Sequence, residues 1–199
     1  MKPLGDKTKM QYRNMNIAMI VATDKYGCIG KKGGIPWYIK SELDYFKVVT
    51  TDHIVIMGKN TALSLPKYPL PNRRNIIIST TMKDSDKEIY STLEDALNQL
   101  QTEGITTPIF IIGGNSLYTA ALKYTKTLYL SRIDTVVNEG DTYFPRYSFD
   151  LDHRFIYFRD YPLLKGKVMD ATTVVDKESG LSYTKYIINI TRREGIELW

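Results

Sequence analysis

His53-Ile54-Val55-Ile56-Met57-Gly58-Lys59-Asn60-Thr61 runs from a short branched apolar segment through a glycine into a polar helix start. An unbroken apolar run rich in β-branched side chains suits a strand buried on both faces, the usual condition of a parallel strand. The same unit recurs at Ile109-Phe110-Ile111-Ile112-Gly113-Gly114-Asn115-Ser116. Working outward, strands are expected at Asn16 to Ala22, His53 to Met57, Asn75 to Ser79, Pro108 to Ile112 and Thr127 to Ile133. Helical patterns fall between them at Ser41 to Val49, Lys59 to Leu65, Thr92 to Gln101 and Ser116 to Lys123, and Ser91 with Glu94 forms a capping-box pattern at the third. Repeated strand-helix alternation requires right-handed crossovers with helices over both sheet faces. The expected fold class is therefore α/β, a single-domain open, mostly parallel sheet flanked by helices. After Pro145 the alternation stops. Arg154 to Tyr161 and Ser182 to Thr191 read as a C-terminal antiparallel edge hairpin joined by a long polar connection. Within that connection, Leu164-Lys165-Gly166-Lys167 and Asp176-Lys177-Glu178-Ser179-Gly180 suggest a smaller hairpin with a Gly turn.

Composition narrows the function. A chain of 199 residues with 43% hydrophobic and 25% charged residues has the make-up of one well-packed globular domain. The formal charge of +5 is spread along the chain, and its basic clusters are pairs such as Lys31-Lys32 and Arg192-Arg193. That pattern suits anionic small molecules better than a nucleic-acid duplex. A single cysteine, Cys28, excludes an internal disulfide and is expected as a packed hydrophobe in a reducing cytoplasm. The two histidines, His53 and His153, belong to no ligand motif, so no metal is expected. No apolar run approaches the roughly 20 residues that span a bilayer, and no membrane association is expected. Residues 1–15 read as a polar N-terminal leader, 16–193 as the domain and 194–199 as a C-terminal tail.

Chemistry-bearing residues cluster in three places. In Ile35-Pro36-Trp37-Tyr38-Ile39-Lys40-Ser41-Glu42-Leu43-Asp44-Tyr45-Phe46-Lys47, a Pro-Trp loop enters a helix on which Glu42, Leu43 and Phe46 share one side. A carboxylate in apolar surroundings has its pKa raised by desolvation, whereas the plain alternative is a solvated charge at a helix start. The turn at Gly58-Lys59-Asn60-Thr61 offers backbone N–H groups and a lysine to an anion, and paired Gly113-Gly114 lets a ligand approach the backbone. Either is also compatible with an ordinary strand-to-helix turn. Neither a G-x-G-x-x-G fingerprint nor a Walker Gly-Lys-Ser/Thr is present, so a dinucleotide would have to bind across several strand ends.

Taken together, these residues resemble the dihydrofolate reductase family. The resemblance runs from about Asn16 to about Arg193 and rests on ordered motifs. They are Tyr26-Gly27-Cys28-Ile29-Gly30, Ile35-Pro36-Trp37, Glu42-Leu43 with Phe46-Lys47, and Val55-Ile56-Met57-Gly58 with Thr61. Pro69-Leu70-Pro71 with Arg73 and Asn75, Ile112-Gly113-Gly114 with Tyr118, and Glu139-Gly140-Asp141-Thr142-Tyr143-Phe144-Pro145 complete the set. The resemblance implies NADPH-dependent reduction of dihydrofolate to tetrahydrofolate, by hydride transfer to pterin C6 and protonation at N5. It implies a catalytic group of Glu42, Ser131 and Trp37, in which Glu42 holds the pterin and Ser131 supports the acid. Ile20, Val21, Leu43, Phe46, Leu65, Ile112 and Tyr118 are implied around the substrate, with Arg73 pairing its glutamyl carboxylate. Ala22, Ile29 and Gly30 are implied against nicotinamide. Lys59, Asn60, Thr61, Ser79, Thr80, Gly113, Gly114, Asn115, Ser116 and Leu117 are implied along the phosphate and adenosine groove. The Asp24 to Tyr38 loop corresponds to the family's closing loop, steadied by the loop carrying Asp141. The partners implied are the small-molecule substrate dihydrofolate and at most a weak homodimer, in the cytoplasm.

Some positions depart from the family pattern: Asn72 replaces a usual glycine, Ala62 a bulky residue and Ser116 a basic one. Other readings stay open. A same-fold reductase of riboflavin synthesis is one, which the Pro36-Trp37 to Phe46 pattern argues against; a structural or interaction protein retaining a folate pocket is another.

Overall fold

A computed structural model describes residue 12 and residues 14–192 of the chain. In chain order the elements are β1 (Ile17–Thr23), β2 (Cys28–Gly30), α1 (Lys40–Thr50), β3 (Ile54–Gly58), α2 (Lys59–Ser64), β4 (Arg74–Ile78), β5 (Glu88–Tyr90) and α3 (Leu93–Thr102). They continue as β6 (Ile109–Ile111), α4 (Asn115–Ala121), β7 (Thr127–Ile133), β8 (Thr142–Tyr143), β9 (Tyr147–Phe149), β10 (Phe155–Phe158), β11 (Leu164–Val175) and β12 (Ser182–Arg192). One sheet runs in the order β5-β4-β3-β6-β1-β7-β12-β11-β10-β9, and β2 pairs with β8 outside it. From β5 through β7 every pairing is parallel. From β7 outward through β12, β11, β10 and β9 every pairing is antiparallel.

The two-residue period of β1 divides the core. Ile17, Met19 and Val21 join the larger apolar cluster, where α3 contributes Leu93, Leu97 and Leu100 and α4 contributes Leu117 and Ala121. Ala18 and Ile20 turn to the other face and meet Val55, Met57, Ile77, Phe110 and Ile112, with Phe46 and Val49 of α1 and Ala62 of α2 packed there. Each face is thus covered by one pair of helices. The cap of α3 differs from the capping-box expectation: Thr92, in extended conformation, accepts from Asp95 N at 3.1 Å, so Thr92 and not Ser91 is the cap.

The C-terminal region is antiparallel as expected, with a further strand between the two that the sequence marks. The polar connection is itself a strand, β11, inserted between β10 and β12. Beyond Lys167, β11 pairs with β12 alone and is largely exposed, which is why Val168 to Val175 reads as a loop. Gly166 lies within this strand, not in a turn: a Cβ there would stand 2.4 Å from Cγ2 of both Ile156 and Ile188. A side chain has no room between those neighbours. The turn of the ribbon lies at Asp176 to Leu181, closed by Gly180 N donating to Asp176 O at 2.9 Å.

The tail at 194–199 and most of the leader at 1–15 lie outside the described residues. The leader residues Tyr12 and Met15 belong to the larger core cluster, and the Tyr12 hydroxyl donates to Asn98 Oδ1 at 2.7 Å.

Candidate active site

α1 follows the Pro-Trp loop and places Glu42 in its first turn, 7% exposed. Burial pushes its carboxyl above the ordinary carboxylate range, and a hydrogen bond from the Ser131 side chain opposes that shift without reversing it. Ser131 lies on β7, in register with Ala22 of β1. Three phenols respond to the same environment: burial, and secondarily the charge of Glu42, raise Tyr118 and Tyr183, and Tyr45 is pushed up to about 12 by burial ahead of Tyr129 and Glu42. Glu42 is thus an acid in a desolvated setting whose ionisation is resisted.

The apolar surroundings separate by sheet face. Ile20, Ile112, Phe46 and Leu65 belong to the cluster beneath α1 and α2, and Leu43 is 40% exposed. Val21 does not join them. As the next residue along β1 it packs its side chain into the opposite cluster, a correction that follows from strand alternation. Tyr118 also belongs to that opposite cluster, and its hydroxyl is committed to Ile20 O at 2.8 Å. Trp37 and Ala22 pack against a third cluster of Ile39, Ile133 and Tyr183.

Arg73 and its neighbour Arg74 differ in what occupies their guanidinium groups. Arg74 is held by Glu88 at 2.8 Å and by Glu103. Arg73 donates to Thr50 Oγ1 and Pro71 O, both at 2.9 Å, and lies 5.9 Å over the Phe46 ring. Among the described residues no carboxylate pairs with it, and burial lowers its pKa. Asn72, where the family pattern has glycine, has φ +55. Asparagine is one of the few side chains that tolerate this left-handed conformation, so the replacement keeps the turn.

At the C-terminal ends of the neighbouring inner strands β3 and β6 the two glycine turns meet, Gly58 N donating to Gly113 O at 2.7 Å. The Gly113–Gly114 peptide is cis, and Gly113 has φ +120. A Cβ on Gly113 would stand 3.3 Å from Thr61 Oγ1 and 3.4 Å from the Tyr118 hydroxyl. Only bare backbone fits between them. Lys59 Nζ reaches Thr81 Oγ1 at 3.2 Å, and Ser79 Oγ accepts the Met82 amide at 2.9 Å. Asn60, Thr80 and Ser116 are exposed, and the Asn115 side chain donates to Tyr143 O. The Leu117 side chain is 5% exposed in the larger core cluster, which leaves its backbone toward this turn.

The first half of the loop between β1 and α1 is tied to the segment that carries β8. Cys28 and Gly30 pair with Tyr143 and Thr142, Lys32 N donates to Asp141 Oδ2 at 2.6 Å, and Ile29 packs on the larger core. Asp24 was not singled out in the sequence, yet it is 1% exposed and accepts the amides of Tyr26, Cys28 and Val137 at 2.8, 2.8 and 2.9 Å. An Asp three residues before a Gly, as in Asp24-Lys25-Tyr26-Gly27, is the turn signal that marks such an anchor. Among the described residues no helix is long and apolar enough to cross a membrane.

A family model described as dihydrofolate reductase matches residues 16–156. The dihydrofolate reductase of Buchnera aphidicola subsp. Acyrthosiphon pisum is 39% identical over 134 residues, covering 67% of this chain and 81% of its own length. Those of Bacillus subtilis and Schistosoma mansoni are 37% and 36% identical, covering 66% and 68% of this chain and 77% and 81% of their own. With the open sheet, its glycine turns and the buried acid on α1 arranged as described, these matches show that the chain belongs to the dihydrofolate reductase family of enzymes.

Proposed function

We propose that the protein reduces 7,8-dihydrofolate to 5,6,7,8-tetrahydrofolate, with Glu42 as the acid that holds the pterin. The observation that carries this reading is the burial of Glu42 beside Ser131, whose register partner Ala22 stands two residues along β1 from Ile20 and so on the sheet face where Ile20, Phe46, Leu65 and Ile112 cluster. Once ionised, a carboxyl group here accepts paired hydrogen bonds from the pterin amino group and the adjacent ring N–H. Because burial resists its ionisation, it also retains a proton further toward neutral pH than a solvated carboxylate does. That proton, relayed through water, is the source for N5. The Ser131 hydroxyl fixes the orientation of the carboxyl. Arg73, free of an acidic partner among the described residues, offers a guanidinium fork to the substrate's glutamyl carboxylate.

The residues present fit NADPH as the reductant. Thr61 and Tyr118 keep Gly113 bare, so its backbone meets that of Gly58 where α2 and α4 begin, with Lys59, Thr61 and the backbone from Gly114 to Leu117 alongside. Bound there, NADPH supplies the hydride for pterin C6. Lys59 favours the extra phosphate that distinguishes it from NADH. The Asp24 to Tyr38 loop, tied to Asp141, excludes water from the reacting face, and Ala22 and Ile29 offer backbone contacts to the carboxamide.

The test is NADPH consumption by purified protein with and without dihydrofolate. Oxidation that requires dihydrofolate is expected. A folded protein that oxidises no NADPH with dihydrofolate and binds neither ligand would overturn the reading.

A further inference from the structure

The helix that carries Glu42 begins without a local cap. Ile39 occupies the cap position with extended backbone, φ −130 and ψ 102, and provides no side-chain acceptor for the first free N–H groups. The acceptor arrives from the other end of the chain. Asp176, at the turn between β11 and β12, places Oδ1 2.9 Å from Ser41 N across a separation of 135 residues. Its Oδ2 accepts both the amide and the hydroxyl of Ser179 at 2.8 Å. The carboxylate is 3% exposed. Tyr183 adds a bond from its hydroxyl to Ser41 Oγ at 3.3 Å, and packs with Ile39 in the cluster that also takes up Trp37, Val174 and Leu181.

The same ribbon reaches the other member of the Glu42 pair. Ser131 of β7 lies in register with Lys185 of β12, two residues beyond Tyr183. Lys185 Nζ in turn lies 4.7 Å over the Tyr45 ring of α1. Strand β12 therefore neighbours Ser131 directly, while the turn leading into it grips the first turn of α1. The relative placement of Glu42 and Ser131 is set from one structural unit.

We propose that Asp176 is a positioning residue for pterin binding, capping α1 from the ribbon and so fixing the turn that presents Glu42 to Ser131. This rests on the reading of Glu42 as the pterin-binding acid. A carboxylate at a helix N-terminus satisfies an unpaired N–H and complements the helix dipole. Without it the first turn frays, and Glu42 is in that turn.

The test uses the full chain with Asp176→Ala, Asp176→Asn and Ser179→Ala, reading the KM for each substrate and the amide exchange of residues 41–44. Asp176→Ala is expected to raise the KM for dihydrofolate roughly fivefold, the factor of an ordinary lost cap, and leave that for NADPH unchanged. Exchange of the Ser41 and Glu42 amides accelerates in parallel. Asp176→Asn keeps an acceptor for Ser41 N and restores most of both, and Ser179→Ala, which removes one donor to the other oxygen, stays near wild type. Should Asp176→Ala fail to fold, Asp176→Glu displaces the carboxylate by one methylene and is read by the same two measurements. Faster exchange in the first turn with an unchanged KM for dihydrofolate would overturn the proposal, as would an equal rise in both KM values. Glu42→Gln separates the two levels. If it binds dihydrofolate as wild type does, the reading of Glu42 fails; if it loses affinity and the Asp176 variants do not, only the capping proposal falls.

Discussion

Two buried carboxylates meet at the first turn of α1, its own Glu42 on the helix that covers the parallel sheet and Asp176 from the turn of the antiparallel ribbon. Glu42 has the Ser131 bond set against its burial, and its pKa rises. Asp176 is surrounded by donors, the Ser41 hydroxyl first and then the Ser179 and Ser41 amides, which hold its carboxyl well below the usual range. Burial is common to both. What differs is the number of N–H and O–H groups aimed at the charge, and that difference separates an acid that can keep a proton from one that holds a helix in place.

The contrast is sharpened first by removing the acid of α1. Glu42→Gln is expected to retain the fold and lower steady-state turnover by roughly 100-fold or more, the range of a lost general acid. Circular dichroism and NADPH consumption read the two effects, and comparable turnover would remove the distinction between the acids. A smaller effect is expected from Ser131→Ala, which deletes the bond opposing desolvation. The Glu42 carboxyl then titrates higher still, and turnover falls roughly tenfold through loss of a hydrogen bond to a charged group. An unchanged pH dependence of turnover in that variant would contradict the role given to Ser131.

The smallest effects lie in stability, and their signs are opposite. Glu42 has a folded pKa above its unfolded value, so its contribution is complete below the unfolded value and is lost as pH rises through the folded one. Asp176 has a depressed folded pKa, so its contribution is present above the unfolded value and is lost as pH falls toward the folded one. Thermal unfolding should therefore show Glu42→Gln gaining on wild type from acid to neutral pH, and Asp176→Asn losing ground over the same change. Parallel trends in the two variants would break the comparison.

The inner parallel strands were legible because they are buried and announce themselves as apolar runs, β3 and β6 ending in glycine turns; Thr127 to Ile133 agrees at both ends with β7, whereas the half-buried three-residue edge strand β5 gave no such run and was not expected. The ribbon was not legible either. Thr172 and Thr173 are exposed and pair with β12 alone, so the alternation that marks a half-buried strand is missing. Motif position also fails to fix which way a side chain faces. Val21 and Leu117 stand within the right motifs, yet strand alternation and the inner side of α4 send both into the core. Glu42 and the two glycine turns could be marked as candidates because their chemistry is local to a helix start or turn, while Arg73 entered only through the family resemblance. The link from Asp176 to Ser41 spans most of the chain and leaves only an indirect trace: a helix entered through Ile39, which cannot cap it, calls for an acceptor from elsewhere in the fold.

The most direct test of the central claim is the pH dependence of single-turnover NADPH oxidation by dihydrofolate in wild type and Glu42→Gln. If Glu42 holds the proton destined for N5, the wild-type rate declines as pH rises through an inflection above the ordinary carboxylate range, and Glu42→Gln is slow and lacks that inflection. An inflection that persists in Glu42→Gln, or a variant rate comparable to wild type across the range, would contradict it.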